Sequence, residues 1–477
     1  MLRISPVRCI HATTVRGKMA RFKPKIARSK PVKTPSTLAL DNFDFYYGPL
    51  FGDQWPSIRL GLLTPNKFVA VLNRFSMDAE VNAQILKDLG TTNIMDHLVG
   101  GKTADSKVIE AKKAAILGKP LVDAHGDVYT EEEAFGAAKV VEEGEKTEEQ
   151  LEMRLEGGIH EFKEPSETYT MGQLNVKTDG EPEVFDSRRQ LSKLEVTGVE
   201  RFSGNMLRKD DFIMYPRDLG LYAYPRGSLL DFPGPIKDKN QISSWWLLDG
   251  GSVLPVLALD LQPTDNVLDM CSAPGGKSLL IAQTGLFDKL TCNDAKMARI
   301  GQLRRGLSMY IPPEAPEAQR IVIKRRDASN LEHWSDENCF DKVLVDAPCT
   351  TDRLAVNQDD GNLFAPSMTQ ERLNLPQLQV KLLVNALRSL KINGSVVYST
   401  CSLSPMQNDA VVENAAVIAE QQFGIKVVEK GLTQLQNHLL PSGLYRFALN
   451  CQRGLLVVPH IASNFGPMYI CKLQRLR

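Results

Sequence analysis

Short apolar runs recur along the second half of the chain, each closed by an acid, a glycine or a turn former and each followed by a stretch with helical spacing. From about Gln241 the runs NVLDM (266–270), KLTCND (289–294), RIVIKRRD (320–327), FDKVLVDA (340–347), GSVVYSTC (394–401), IKVVEK (425–430) and MYICKL (468–473) read as seven strands. Near-continuous apolar strands alternating with helices predict an α/β, Rossmann-like domain over 241–477, with a mostly parallel sheet and helices on both faces. One helix is marked by Ser404 as N-cap, Pro405 at the first helical position and Gln407 three residues past the cap. Another is expected to begin at Gln377, because Pro376 breaks the stretch before it.

The first half is patterned differently. Residues 41–103 are aromatic and apolar and predict a small ordered element, with a short helix over Asn66–Phe75. Residues 104–194 turn polar and acidic, and 131–156 alone carry ten Glu against three basic residues. Such a stretch buries too little apolar surface to offset ordering, which predicts a flexible insertion with at most a transient helix near Glu142–Leu155. Residues 195–240 lead into the catalytic unit.

Charge changes the picture at the start of the chain. Residues 1–40 hold ten Lys or Arg and no Asp or Glu, so the remainder has 47 basic residues against 57 acidic ones, a net charge of −10. A basic, acid-free leader with hydroxyls and no long apolar run fits a mitochondrial targeting segment better than a secretory one; a basic nucleic-acid-binding arm is the alternative. No run is long enough for a membrane anchor. The eight cysteines form no CxxC pair and no spacing with histidine that suits a metal or a disulfide framework, so no metal site is expected and the thiols read as free.

The candidate chemistry lies at the strand ends. In NVLDMCSAPGGKSLL (266–280) a strand ends in an acid, passes a glycine pair and enters a helix. In a doubly wound sheet such a turn lets backbone approach a ligand beyond the carboxyl ends of the strands. Neither GxGxxG nor a phosphate loop is present, so a ligand with one nucleoside and no phosphate is expected. S-adenosylmethionine is such a ligand. Asp269, Asp294, Asp327 and Asp346 close four successive strands; Asp294 suits the two ribose hydroxyls and Asp327 the adenine.

Two of the cysteines follow strand tips on the same rim, Cys349 in LVDAPCTTD and Cys401 in YSTCSLSP, whereas Cys292, Cys339, Cys451 and Cys471 sit within apolar patterns and read as core filler. Carbon-5 of a pyrimidine is a poor nucleophile until a thiolate adds to carbon-6, so a thiol beside a methyl donor suits covalent catalysis. A free thiol is mostly protonated at neutral pH and needs a cation or a helix N-terminus; the helix expected at Ser404 would begin just after Cys401.

The combination MCSAPGGK, VDAPCTTDR and YSTCSLSPMQND resembles the RNA cytosine-5 methyltransferases of the Sun (Nop/Sun) family over about Trp245–Leu473. FDFYYGPLFGDQWPSIR and NFGPMYICKLQRL are similar to a mitochondrial member that acts on small-subunit ribosomal RNA. The resemblance implies a class I methyltransferase fold, with Cys401 as nucleophile and Cys349 as the thiol that assists release. It implies cofactor contacts from Gly275, Gly276, Lys277, Asp294, Arg299, Asp327 and Asp346, with Asp346 also reaching N3 of the cytosine. DNA cytosine methyltransferases are disfavoured, since they place the nucleophile in the Pro-Cys motif and carry a Glu-Asn-Val motif that is absent here. The expected role is thus mitochondrial ribosomal RNA methylation in the matrix, linked to assembly of mitochondrial ribosomal subunits; the alternative is a non-catalytic assembly scaffold that keeps the fold. The net −10 body lacks a strong basic footprint apart from Arg304, Arg305, Lys324 to Arg326 and Arg353. By resemblance, a helical-repeat partner of the mitochondrial transcription-termination-factor family supplies the missing RNA affinity.

Overall fold

The computed structural model describes residues 33–99 and 206–477; the basic leader up to residue 32 and the acidic stretch with its expected helix near Glu142–Leu155 lie outside the described residues. In chain order the strands are β1 Phe68–Leu72, β2 Thr92–Asn93, β3 Arg208–Asp210, β4 Leu221–Ala223, β5 Trp245–Asp249, β6 Asn266–Asp269, β7 Lys289–Asn293, β8 Ile321–Lys324, β9 Phe340–Asp346, β10 Leu390–Thr400, β11 Val427–Gly431, β12 Leu455–Val457 and β13 Met468–Arg475. All seven expected strands are present, as β6 to β11 and β13.

They lie in one nine-stranded sheet of order β3-β11-β13-β10-β9-β6-β7-β8, with β12 beside β13. The run β10-β9-β6-β7-β8 is parallel throughout, and β13 is antiparallel to β10, β11 and β12. Successive residues of the central strands face opposite layers. Leu344, Val397 and Ile470 join one core cluster, with Leu280 of helix Gly276–Thr284 and Leu303 of helix Met297–Tyr310. Val343, Val345, Val396, Tyr398 and Tyr469 join the other, with Leu383 of helix Thr369–Ser389 and Val412 of helix Asp409–Phe423. This period of two is the reason the strand sequences read as continuously apolar: both faces are covered by helices.

Three expectations are corrected. Asn66–Phe75 holds strand β1 rather than a helix, because Val69 and Val71 enter one core cluster while Ala70 enters another. With β2, β4 and β5 it forms a separate four-stranded antiparallel sheet. The helix expected from Gln377 spans Thr369–Ser389 with Pro376 inside it. Its first turn is tied to the preceding segment by its own Arg372, which donates to the Leu363 carbonyl and lies over the Phe364 ring. The helix expected at Ser404 begins only at Asp409. The groups that would have built its first turn are engaged elsewhere: the Gln407 carbonyl accepts from Tyr398 at 2.7 Å, and the Asn408 side chain bridges Thr400 and Ser402.

Helix Pro35–Phe51, N-capped by Thr34, begins within the stretch read as the leader and packs into the same cluster as helices Thr369–Ser389 and Asp409–Phe423. No helix among the described residues is long and apolar enough to cross a membrane. At the β3 edge a buried charge cluster ties the segment before the catalytic unit to the sheet. Asp211 accepts from Lys472 of β13 at 2.5 Å and pairs with Lys430 of β11 at 3.2 Å. Removing the acid strands a buried ammonium, so Asp211→Ala is expected to cost about 3–5 kcal/mol, read from chemical denaturation, with Asp211→Asn milder.

Candidate active site

β9 and β10 run side by side with Asp346 opposite Ser399, and β6 joins β9 with Asp269 opposite Leu344. Parallel strands that stop together deliver their outgoing loops to one rim. Three residues past Asp346 is Cys349, and two past Ser399 is Cys401; their sulfurs lie 3.2 Å apart. Cys349 is buried and Cys401 partly buried. The Asp346 carboxylate between them and the glycine turn accepts from Ser399 at 3.0 Å on one oxygen and from Lys277 at 2.7 Å on the other.

The glycine turn follows from local necessity. Gly275 has φ of +118°, and a Cβ there would stand 2.8 Å from Leu303 Cδ1, so only glycine enters this turn. Gly276 then opens the helix that carries Lys277 and Ser278. Asp269 lies beneath it, fully buried. One of its oxygens accepts from Ser278 at 2.6 Å and the other has no hydrogen-bond partner. Burial, with the fields of Asp346 and Asp294, pushes its carboxyl up to about 7 against the pull of Ser278 and Lys277. An unpartnered buried carboxylate oxygen beside the glycine turn fits a cationic ligand group, and the ammonium of S-adenosylmethionine is one. Asp294, one residue beyond β7, is buried, accepts from the Lys296 amide at 2.9 Å and pairs with Arg299 at 3.5 Å. Arg299 also donates to the Ala273 carbonyl, which ties it to the glycine turn. Asp327 stands three residues beyond β8, where its carboxylate is engaged by the Ser329 amide and hydroxyl.

The thiols do not meet the expected helix N-terminus, since that helix starts eight residues past Cys401. The Cys401 thiol is instead pushed well above its usual range, first by the hydrogen bond with Cys349 and then by burial; Lys277 opposes this. The cation that opposes the rise is thus Lys277, in the first turn of the helix that follows the glycine pair. Of the remaining cysteines, Cys292 and Cys471 are buried and Cys451 is partly buried, but Cys339 is exposed, against the expectation of core filler.

Two of the local basic clusters are consumed by structure. Lys324 and Arg326 both pair with Asp336. Arg353 donates to the carbonyls of Gly61, Thr64 and Gly466 and to Asn464, and burial lowers it to about 10, countered by Asp249. It staples the N-terminal helices and the loop before β13 to the Cys349 loop. Sequence reasoning missed Ser399, which sat in plain view in YSTC, and Asp352, Gln407 and Tyr47, whose roles depend on contacts across long stretches of chain.

A family model described as 16S rRNA methyltransferase RsmB/F matches residues 256–474. The chain is 47% identical over 465 residues to a Caenorhabditis elegans protein named 5-cytosine rRNA methyltransferase nsun-4, covering 98% of this chain and 97% of that one. It is 32% identical over 458 residues to the 5-cytosine rRNA methyltransferase NSUN4 of Xenopus tropicalis, covering 96% and 94%. A mitochondrial tRNA (cytosine(34)-C(5))-methyltransferase of Danio rerio is 35% identical over 253 residues, covering 51% of this chain and 66% of that one.

The raised Asp269 carboxyl predicts pH-dependent cofactor binding. Below about 7 the free site holds a proton that a cationic ligand must displace, so affinity for S-adenosylmethionine is expected to fall as pH drops, by up to about tenfold per unit. Calorimetric titration from about pH 5.5 to about pH 8.5 checks this; Asp269→Asn should bind weakly and with no such slope.

Proposed function

The chain belongs to the Sun family of S-adenosylmethionine-dependent RNA cytosine-5 methyltransferases, with an RsmB/F-type domain over residues 256–474, and we propose that it methylates C5 of a cytosine in mitochondrial small-subunit ribosomal RNA through a covalent adduct of Cys401 to C6. The observation that carries the covalent reading is the pair of thiols 3.2 Å apart beside Asp346, at the ends of two neighbouring parallel strands. The ribosomal substrate is supported by the extent of likeness: relatives named for ribosomal RNA match along 96% or more of the chain, and the one named for tRNA along about half. The basic leader supports a mitochondrial matrix location, with a role in assembly of mitochondrial ribosomal subunits. The net −10 body supports shared RNA binding with a helical-repeat partner of the mitochondrial transcription-termination-factor family.

Asp269, Asp294 and Arg299, with the Gly275–Gly276 turn, Lys277, Asp327 and Asp346, would hold S-adenosylmethionine, which when bound supplies an electrophilic methyl group. The chain's own residues do the rest. Cys401 as thiolate forms a bond to C6, and the electrons of the C5–C6 double bond become available at C5. Asp346, held by Lys277 and Ser399, shares a proton with N3, and that proton accommodates the negative charge that addition places on the ring. After transfer, the C5 proton passes to water, the electrons of that C–H bond restore the C5–C6 double bond, and Cys401 leaves C6 as a thiolate. Cys349, in hydrogen-bond contact with the departing sulfur, returns a proton to it.

Two outcomes test this. Bisulfite sequencing of mitochondrial ribosomal RNA from cells with and without the protein is expected to show one small-subunit cytosine losing its 5-methyl group; unchanged methylation in both ribosomal RNAs removes the substrate. On a denaturing gel with labelled RNA and cofactor, Cys349→Ala is expected to give a slow protein–RNA band, whereas Cys401→Ala and the double variant give none. A band that survives loss of Cys401 would reverse the assignment of the two thiols.

A further inference from the structure

The last backbone hydrogen bond of the β9–β10 region before the thiols runs from the Ala347 amide to the Ser399 carbonyl. Beyond it no ladder sets the distance between Cys349 and Cys401, yet a role for both in one reaction requires that distance to be fixed. Two side chains span the gap. Asp352, with no exposed surface, accepts from the hydroxyl of Thr350, next to Cys349, and from the Ser402 hydroxyl at 3.2 Å and the Leu403 amide at 2.7 Å, next to Cys401. Its own amide donates to the Cys401 carbonyl at 3.3 Å. Gln407 runs in parallel, accepting from the Thr350 amide at 3.1 Å and donating to Thr350 and Ser402.

The remaining donor comes from far away in the chain. Tyr47, on helix Pro35–Phe51 and 305 residues before Asp352, points its hydroxyl into the same carboxylate at 2.8 Å. Its ring is fixed among Phe43, Tyr46, Phe51 and Trp55. A buried carboxylate is costly unless its oxygens are filled with donors, and a core Phe would have packed as well as Tyr without supplying one.

We propose that Asp352 is a positioning residue that sets the spacing of the two thiols, and that Tyr47 makes the N-terminal helix part of the active site by holding Asp352 in place. This rests on the two-thiol reading of the reaction. Addition needs Cys401 and the base alone, whereas release needs Cys349 placed against Cys401, so loosening Asp352 should harm release more than addition.

The test is Tyr47→Phe in the full chain, which keeps the ring and removes the hydroxyl. Expected are a kcat lowered about tenfold or more, as displacements of a fraction of an ångström produce, KM values for RNA and S-adenosylmethionine within about twofold of the parent, and a denaturant-stable protein–RNA band with Cys349 intact. A loss of folded protein alone lowers kcat without that band. Asp352→Asn is expected to give the same signature more strongly, and if it fails to fold Tyr47→Phe decides alone. A parental kcat in Tyr47→Phe, or a lowered one without the band, overturns the assignment. The unsubstituted chain and Cys349→Ala run alongside: absence of methylation in the first, or of the band in the second, locates the failure in the two-thiol reading, and the positioning role falls with it.

Discussion

Parallel pairing of β9 with β10 is the constraint on which the rest of the site depends. Strands that run the same way end on the same rim, so Asp346 and Ser399, opposite each other in the ladder, bring the loops after them together. An antiparallel pair would send those loops to opposite ends of the sheet. The helices on both faces make this pairing stable, since alternate residues of each strand enter separate core layers and a slip by one residue would exchange them. Burial of apolar surface thus fixes a register, and the register fixes the meeting of two sulfurs.

At that rim the protein holds charges it cannot leave unpaired. Lys277 and Asp346 neutralise each other, Asp294 takes Arg299, and Arg353 is surrounded by carbonyls. Asp352 fills its two oxygens with donors from Tyr47, Thr350, Ser402 and Leu403. Asp269 differs among these carboxylates in keeping one oxygen without a partner, and its carboxyl is the one pushed to about 7. An unpaired buried carboxylate oxygen beside these paired groups suits a cationic ligand group.

The seven central strands, the glycine turn and the thiols at the strand tips were legible in the sequence because each is written in consecutive residues: apolar runs, PGGK, Pro-Cys and Thr-Cys. What misled was local signal overridden by distant contact. Ser404-Pro405 has every mark of a helix start, but Gln407 and Asn408 are recruited by Tyr398, Thr350, Thr400 and Ser402, and the helix waits until Asp409. Asn66–Phe75 reads as a helix until β4 and β5 supply its strand partners. Arg353 reads as a local basic patch or a solvated helix end until Gly61, Thr64 and Gly466 surround it. Tyr47 and Asp352 could not be joined at all, since nothing in either neighbourhood announces a partner 305 residues off.

The same distinction governs reactivity. A cysteine at a strand tip looks like a nucleophile in the sequence, yet in the folded chain Cys401 shares a hydrogen bond with Cys349, is shielded from water, and so holds its proton more tightly than a free thiol. Lys277 acts against this, but its ammonium is already bonded to Asp346 at 2.7 Å, which limits the field it can spare for sulfur. Burial and the contact between the two sulfurs are therefore the features that hold the proton on Cys401. Geometry and ionisation pull in opposite directions at this rim, and a chain that held Cys401 as a standing thiolate would have to give up its close contact with the Cys349 sulfur.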